Sequence, residues 1–405
     1  MRDKCMNITE RFLKYVSFNT SSDELSENVP STPEQKRLGE YITEELLSIG
    51  VENAVIDEKG YVYAFIPASP GRENEENIGF ISHMDTSPEV SGDVKKASVI
   101  EYSGGDIMLG EKEKISLSEF PFIENYKGRH LIVTDGSSLL GADDKAGIAE
   151  IVSACEELVS GREINHRGVA LCFTPDEEIG RGTDYFNFDR FKAKVAYTLD
   201  GGEEGEIEYE NFNAASVRIE IKGMNIHPGS AKNKMKNAVL MGCELISMLP
   251  PAEAPAHTEN YEGFYHVNSF SGCESGAQIK MLIRDHDRNK FEERKDFIRT
   301  AVDFLNKKYG EGTFTCEIND SYYNMREKIE ENFYLVENAE KAMKKLGIEP
   351  KIIPIRGGTD GARLSFCGLP CPNLCTGGAN FHSIHEFVCV ESMEKIKELI
   401  VELSK

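Results

Sequence analysis

The apolar positions of this chain switch between two periods. Near the start, "ITERFLKYVSF" spaces them as one face of a helix requires. "STPEQKRLGEYITEELLSIG" repeats that pattern with clear punctuation: Ser31 or Thr32 as N-cap, Pro33 in the first turn and Gly50 as the stop. Short apolar runs follow and read as strands: "YVYAFIP", "NIGFISHM", "HLIVTD", "GVALCFTP" and "KVAYTLD". A helix, "DDKAGIAEIVSACEELVSG", lies between the third and fourth of these. Strands alternating with helices predict an α/β sheet. Runs that are apolar nearly throughout predict strands buried on both faces.

From about Asn213 the texture changes. "AASVRIEIKG" alternates as a half-exposed strand does, and a helix around "KNAVLMGCELISML" ends at Pro250-Pro251. Two further strands, "GFYHVNSFSG" and "AQIKMLIRDHD", precede the long amphipathic helix "RNKFEERKDFIRTAVDFLNKKYG" and a last strand, "TFTCEIND". This β-α-β-β-α-β order is that of a ferredoxin-like unit, placed here as an insertion over 213–321. Beyond it the α/β texture returns, with helices at "IEENFYLVENAEKAMKKLG" and "VESMEKIKELIVELSK" and strands at "PKIIPI" and "PCPNLC". Residues 1–212 and 322–405 are expected to build one domain together.

Composition narrows the function. At 405 residues, two domains are expected, and 28% charged against 40% hydrophobic residues is ordinary for a globular chain. A net charge of −23 argues against nucleic-acid binding, which needs clustered Lys and Arg. Ten cysteines without a paired framework read as buried thiols in a reducing compartment. The opening "MRDKCMNITERFLKYVSF" has no apolar signal region, and no stretch is long enough to cross a bilayer, so a cytoplasmic location with no membrane partner is expected.

Acids and imidazoles collect where the strands end. "FISHMDTSPE" sets His83 and Asp85 two apart, on one face of a strand. "LLGADDKAGIAE" places Asp143 and Asp144 at a helix entrance, and "AYTLDGG" places Asp200 at a strand end. "GGANFHSIHEF" supplies His382 and His385. In "CFTPDEEIGRG" an apolar run gives way at once to Asp176, Glu177 and Glu178. Adjacent side chains on an extended segment diverge, so one of the two glutamates can ligate a metal while the other faces a water as general base. Taken singly, each motif has an ordinary explanation: a turn pair, aspartates capping a helix, solvated glutamates, a hydrogen-bonded histidine. Together, His83, Asp143, Glu178, Asp200 and His382 form a balanced donor set for two zinc ions with one carboxylate bridging. Such a pair, ~3.5–4 Å apart, clamps a hydroxide and polarises a carbonyl.

Other features are weaker. "RGGTDGARLS" lacks the spacing of a P-loop, though its Arg356 suits a carboxylate, and no G-x-S-x-G marks a serine hydrolase. Cys367, Cys371 and Cys375 are spaced by four and read as buried thiols. "HPGS" puts His227 on a loop of the insertion.

Motifs along the whole chain, among them "IGFISHMDTSPEVSG", "LLGADDKAGIAEI", "FTPDEEIGRG", "HPGSAK", "DSYYNMREK", "PIRGGTDGARLSF" and "TGGANFHSIHEF", resemble the peptidase T family of tripeptide aminopeptidases. That family is part of the dizinc group that includes aminoacylases and glutamate carboxypeptidases. The resemblance implies a mixed-sheet α/β zinc-exopeptidase catalytic domain with an inserted ferredoxin-like α+β lid domain that also serves dimerisation. It implies two zinc ions per subunit, replaceable by cobalt or manganese in vitro: one on His83, Asp143 and Asp200, the other on Asp143, Glu178 and His382. Glu177 would be the general base, Asp85 would orient His83, and His227 would help to stabilise the oxyanion, across the interface of a homodimer. Arg356 and Asn380 would lie near the tripeptide, and the Asp143–Asp144 peptide bond would be cis. Closure of the insertion would limit substrate length. A related dipeptidase or N-acyl-amino-acid deacylase is the alternative. A non-enzymatic zinc- or peptide-binding protein would have no use for Glu177, and a Rossmann oxidoreductase would need the G-x-G-x-x-G that is missing.

Overall fold

Three strands built almost wholly of apolar residues set the frame. Ile78–His83 and Val169–Thr174 are buried along their entire length, and Val195–Gly201 nearly so. They pair in parallel, Ile78–His83 in the middle, with His83 opposite Thr174. Burial on both faces is what a parallel arrangement flanked by helices demands. The structure is a computed structural model that describes residues 6–160 and 164–405. Residues 1–5, on which part of the reading of the N-terminus rests, and Gly161, the last residue of one predicted helix, lie outside it.

The chain forms two units: 1–209, 327–353 and 359–405 in the first, and 210–326 with 354–358 in the second. In the first unit the parallel trio belongs to a mixed eight-stranded sheet. Its order is Val55–Ile56, Val62–Ile66, Val169–Thr174, Ile78–His83, Val195–Gly201, Asn373–Cys375, Glu206–Glu208 and Lys351–Ile352. Val62–Ile66 and Glu206–Glu208 run antiparallel to neighbours, so the sheet is mixed. The predicted strand "HLIVTD" forms, but as His130–Thr134 of a separate four-stranded antiparallel sheet with Ala97–Glu101, Phe387–Cys389 and Gly378–Ala379. That sheet packs its own cluster of Leu131, Val133, Tyr126 and Phe387.

The helices form where their apolar spacing and caps place them. Pro33–Ile49 starts after Thr32 and stops at Gly50, whose φ of 109° favours glycine. Ala142–Val159 packs against Ile8–Val16, Val390–Ser404 and the central strands. It lies tight against the sheet at Gly147, where a Cβ would stand 2.3 Å from Leu199 O and 2.6 Å from both Asp144 Oδ1 and Ser82 Oγ. Glycine here lets the helix entrance sit directly against the strand ends. A buried Arg11 ties Ile8–Val16 down through Glu45 (2.7 Å), Ser153 (2.7 Å) and Glu156 (2.9 Å).

The second unit is an antiparallel sheet ordered Phe264–Cys273, Gly276–Asp285, Asn213–Lys222 and Phe314–Tyr322. The helices Ala238–Met248 and Arg288–Tyr309 cover it. This is the ferredoxin-like order, and its core joins Val217, Ile219, Ile279, Met281, Phe291 and Leu305. Among the described residues the cysteines are free thiols: Cys371 and Cys375 are buried as expected, whereas Cys243, Cys273 and Cys367 are exposed. No helix among the described residues is long and apolar enough to cross a membrane.

Candidate active site

The C-terminal ends of the parallel strands bring the acids together, as an open α/β sheet does for its ligands. His83 closes its strand, Asp176, Glu177 and Glu178 follow Thr174 after the single residue Pro175, and Asp200 is the penultimate residue of Val195–Gly201. Asp143 enters from the helix Ala142–Val159, where the Asp143–Asp144 bond is cis. His382 comes from the loop between Gly378–Ala379 and Phe387–Cys389.

Asp143 stands at the centre. Its Oδ1 lies 2.8 Å from His83 Nε2 and its Oδ2 lies 3.3 Å from His382 Nε2. One carboxylate thus faces two imidazoles with different oxygens. Around His83 Nε2, Asp200 Oδ1 stands at 3.4 Å; around His382 Nε2, Glu178 Oε2 stands at 3.0 Å. Asp85, fully buried, accepts the backbone N–H of Glu177 on Oδ1 (3.0 Å) and that of Glu178 on Oδ2 (3.1 Å). The same Oδ1 is 3.3 Å from His83 Nδ1. Asp85 therefore fixes an imidazole and the double-glutamate turn at once. Glu177 Oε1 accepts the N–H of Asp360 at 3.2 Å.

Crowding sets the protonation. Burial works to raise the Asp143 carboxyl, yet the two imidazoles hold it well below the usual range. Burial, with the charge of Asp143, pushes Glu178 up to about 7, and burial pushes Asp200 up to about 6 against the pull of His83. Glu177 is raised well above an ordinary glutamate by burial and by the charges of Asp200 and Asp360. Hydrogen bonds to Asp143 and Glu178 lift His382 to about 11. Protons thus balance the charge of this cluster, a task that divalent cations perform better.

The residues suit such cations. Two sets of donor atoms lie within 4.8 Å of one another, one from His83, Asp144 and Asp200 and one from His83, Asp143 and Glu178. The first contains Asp144 rather than Asp143. Asp144 Oδ2 is already taken by the Ser82 hydroxyl and by the His83 N–H at 3.0 Å, whereas Asp143 offers both oxygens outward to the imidazoles. The other oxygen of Asp144, Oδ1, is buried with no protein partner, so both aspartates can offer an oxygen to a cation. Glu178 Oε1 is buried with no protein partner, the state expected of an oxygen built to meet a cation. Imidazole nitrogens with carboxylate oxygens match zinc, cobalt or manganese.

The remaining predicted residues fall elsewhere. His227 belongs to the second unit, on an exposed turn where its Nδ1 accepts from Gly229 N at 3.2 Å. Arg356 is in that unit too, its guanidinium committed to the carbonyls of Thr258, Asn260 and Glu262 and lying over Phe212. Asn380 is on the His382 loop and braces it through His385 O at 3.2 Å. His385 packs its ring on Phe120. Residues the sequence did not single out include Glu89, 3.3 Å from His382 Nδ1, Asn373, which receives the Asp200 N–H at 3.0 Å, and Glu386 beneath Asp143. Glu386 stands in the motif "HSIHEF", but a carboxylate that binds backbone amides leaves no sequence pattern.

Known proteins resemble the chain along its length. The model of peptidase family M20/M25/M40 matches residues 135–405. Peptidase T of Caldanaerobacter subterraneus subsp. tengcongensis is 54% identical over 399 residues, covering 98% of this chain and 97% of the relative. Peptidase T of Alkaliphilus oremlandii is 53% identical over 401 residues, 98% of each. The aminopeptidase PepT of Bacillus cereus superposes with a TM-score of 0.77 at 24% identity, over 98% of this chain and 97% of that one. A dinuclear metal-binding M20 peptidase of Bacillus subtilis gives 0.66 at 14%, over 98% and 97%.

Proposed function

Because the chain belongs to peptidase family M20/M25/M40, we propose that it is a tripeptide aminopeptidase, releasing the first residue of its substrate with the help of two metal ions. The observation that carries this reading is Asp143, whose two oxygens face His83 and His382 while Glu177 stands on the neighbouring turn. Full-length identity above one half to proteins named Peptidase T supports the substrate class.

We assign His83, Asp143 and Asp200 to one ion and Asp143, Glu178 and His382 to the other, and take both to be zinc. When bound, such a pair lowers the pKa of a water toward neutrality and polarises the scissile carbonyl. Glu177 is the proton carrier: it accepts the proton of the attacking water and delivers it to the departing amine. The Asp360 N–H on Oε1 orients that carboxylate, and Asp85 fixes the backbone beneath it. Asp85 also faces His83 Nδ1, which leaves Nε2 free to act as a ligand. The free thiols favour a reducing, cytoplasmic setting.

Hydrolysis of di-, tri- and tetrapeptides, each free and N-acetylated, tests the assignment alongside metal content per chain. Release of the first residue from free tripeptides, with two zinc per chain, is expected. Preference for acetylated substrates would replace this reading with that of a deacylase.

A further inference from the structure

Glu386 is 1% exposed and spends its carboxylate entirely on backbone. Oε2 accepts the N–H groups of Leu140 at 2.7 Å and Gly141 at 2.8 Å, and Oε1 accepts that of Asp143 at 3.1 Å. All three donors belong to the turn that delivers Asp143. Glu386 itself belongs to the loop that delivers His382. That loop is braced internally: Ser383 Oγ donates to Asn380 O at 2.7 Å and accepts from His385 N at 3.1 Å, and Glu386 N donates to Ser383 O at 3.3 Å. Asn380 and His382 both hold left-handed backbone, at φ 57° and 58°. Fixing Glu386 therefore fixes His382.

We propose that Glu386 is a positioning residue that sets the spacing between Asp143 and His382, and so prepares the second ion's ligands before the ion arrives. The proposal rests on the two-ion reading above. Its physical basis is that a carboxylate collecting several backbone N–H groups makes strong, directional contacts in a buried place. Without them the Asp143 turn and the His382 loop would meet across the site chiefly through the single contact of Asp143 Oδ2 with His382 Nε2 at 3.3 Å.

The test is Glu386→Gln. An amide keeps the shape but turns an NH2 donor toward a backbone N–H, so at least one of the three bonds is lost. In the metal-free protein, amide exchange at Leu140, Gly141 and Asp143 should quicken about tenfold. In a cobalt titration both equivalents should bind more weakly, since Asp143 serves both, and the second, which also depends on His382, by the larger factor of about ten- to a hundredfold, with an altered visible spectrum. Turnover of a tripeptide should fall in kcat with KM nearly unchanged. If the Gln variant does not fold, Glu386→Asp, with the same charge and a shorter reach, is read in the same three ways. Wild-type exchange rates together with an unaltered cobalt spectrum would overturn the proposal. A wild-type protein that takes up one cobalt would instead refute the two-ion reading, and the exchange rates would still decide whether Glu386 holds the Asp143 turn.

Discussion

At the scale of single residues, the site divides labour among chemically similar acids by what each one touches. Glu178 faces His382, while its neighbour Glu177 meets the Asp360 N–H instead. Glu177→Ala should cut kcat by about 10²–10⁴ while metal content stays at its wild-type value, measured by elemental analysis on the same samples. An acid behind the site has a different signature. Glu208 is buried, bonded to Asn373 Nδ2 at 2.5 Å, and pushed up to about 8 by burial and by the charge of Glu206. The folded chain keeps that proton to about pH 8, whereas the unfolded chain releases it near the ordinary glutamate value. Stability therefore falls as pH rises across that window. Glu208→Gln should flatten the decline, adding on the order of a few kcal/mol near pH 8 and nothing below the ordinary glutamate pKa. Denaturant unfolding of the metal-free protein at a series of pH values measures it.

At the scale of elements, the helix Ala142–Val159 is held at the strand ends by the missing side chain of Gly147. Gly147→Ala should cost about 1–3 kcal/mol through overpacking. It should also depress turnover, because relief requires the helix entrance, and Asp143 with it, to back away from His83. Thermal unfolding and kcat on one preparation check both. The sequence made this helix legible through its long apolar period, and made Pro33–Ile49 legible through Pro33 and Gly50. It also singled out the five proposed ligands, since acids and imidazoles at the ends of apolar runs stand out against their surroundings. Elements of two or three residues, such as Glu206–Glu208 and Gly378–Ala379, are too short to display a period, and tertiary pairing alone defines them. For the same reason nothing in "HLIVTD" told which of two sheets it would join.

At the scale of the whole molecule, each unit has a core of its own, so calorimetry should resolve two transitions. All five proposed ligands lie in the first unit. Chelation should lower that transition, by about 2.7 kcal/mol for a ligand held at a hundred times its Kd, and leave the other unmoved; equal shifts in both would contradict the assignment. The eight-stranded sheet carries a last consequence. Asn373–Cys375 slots between Val195–Gly201 and Glu206–Glu208, although it is made some 170 residues after Val195–Gly201. During ribosomal synthesis the growing chain must therefore carry an unfinished apolar edge until that late segment emerges, a state that invites chaperone capture. His382, proposed as a ligand of the second ion, emerges later still, so on that assignment the metal site is among the last parts of the molecule to be completed.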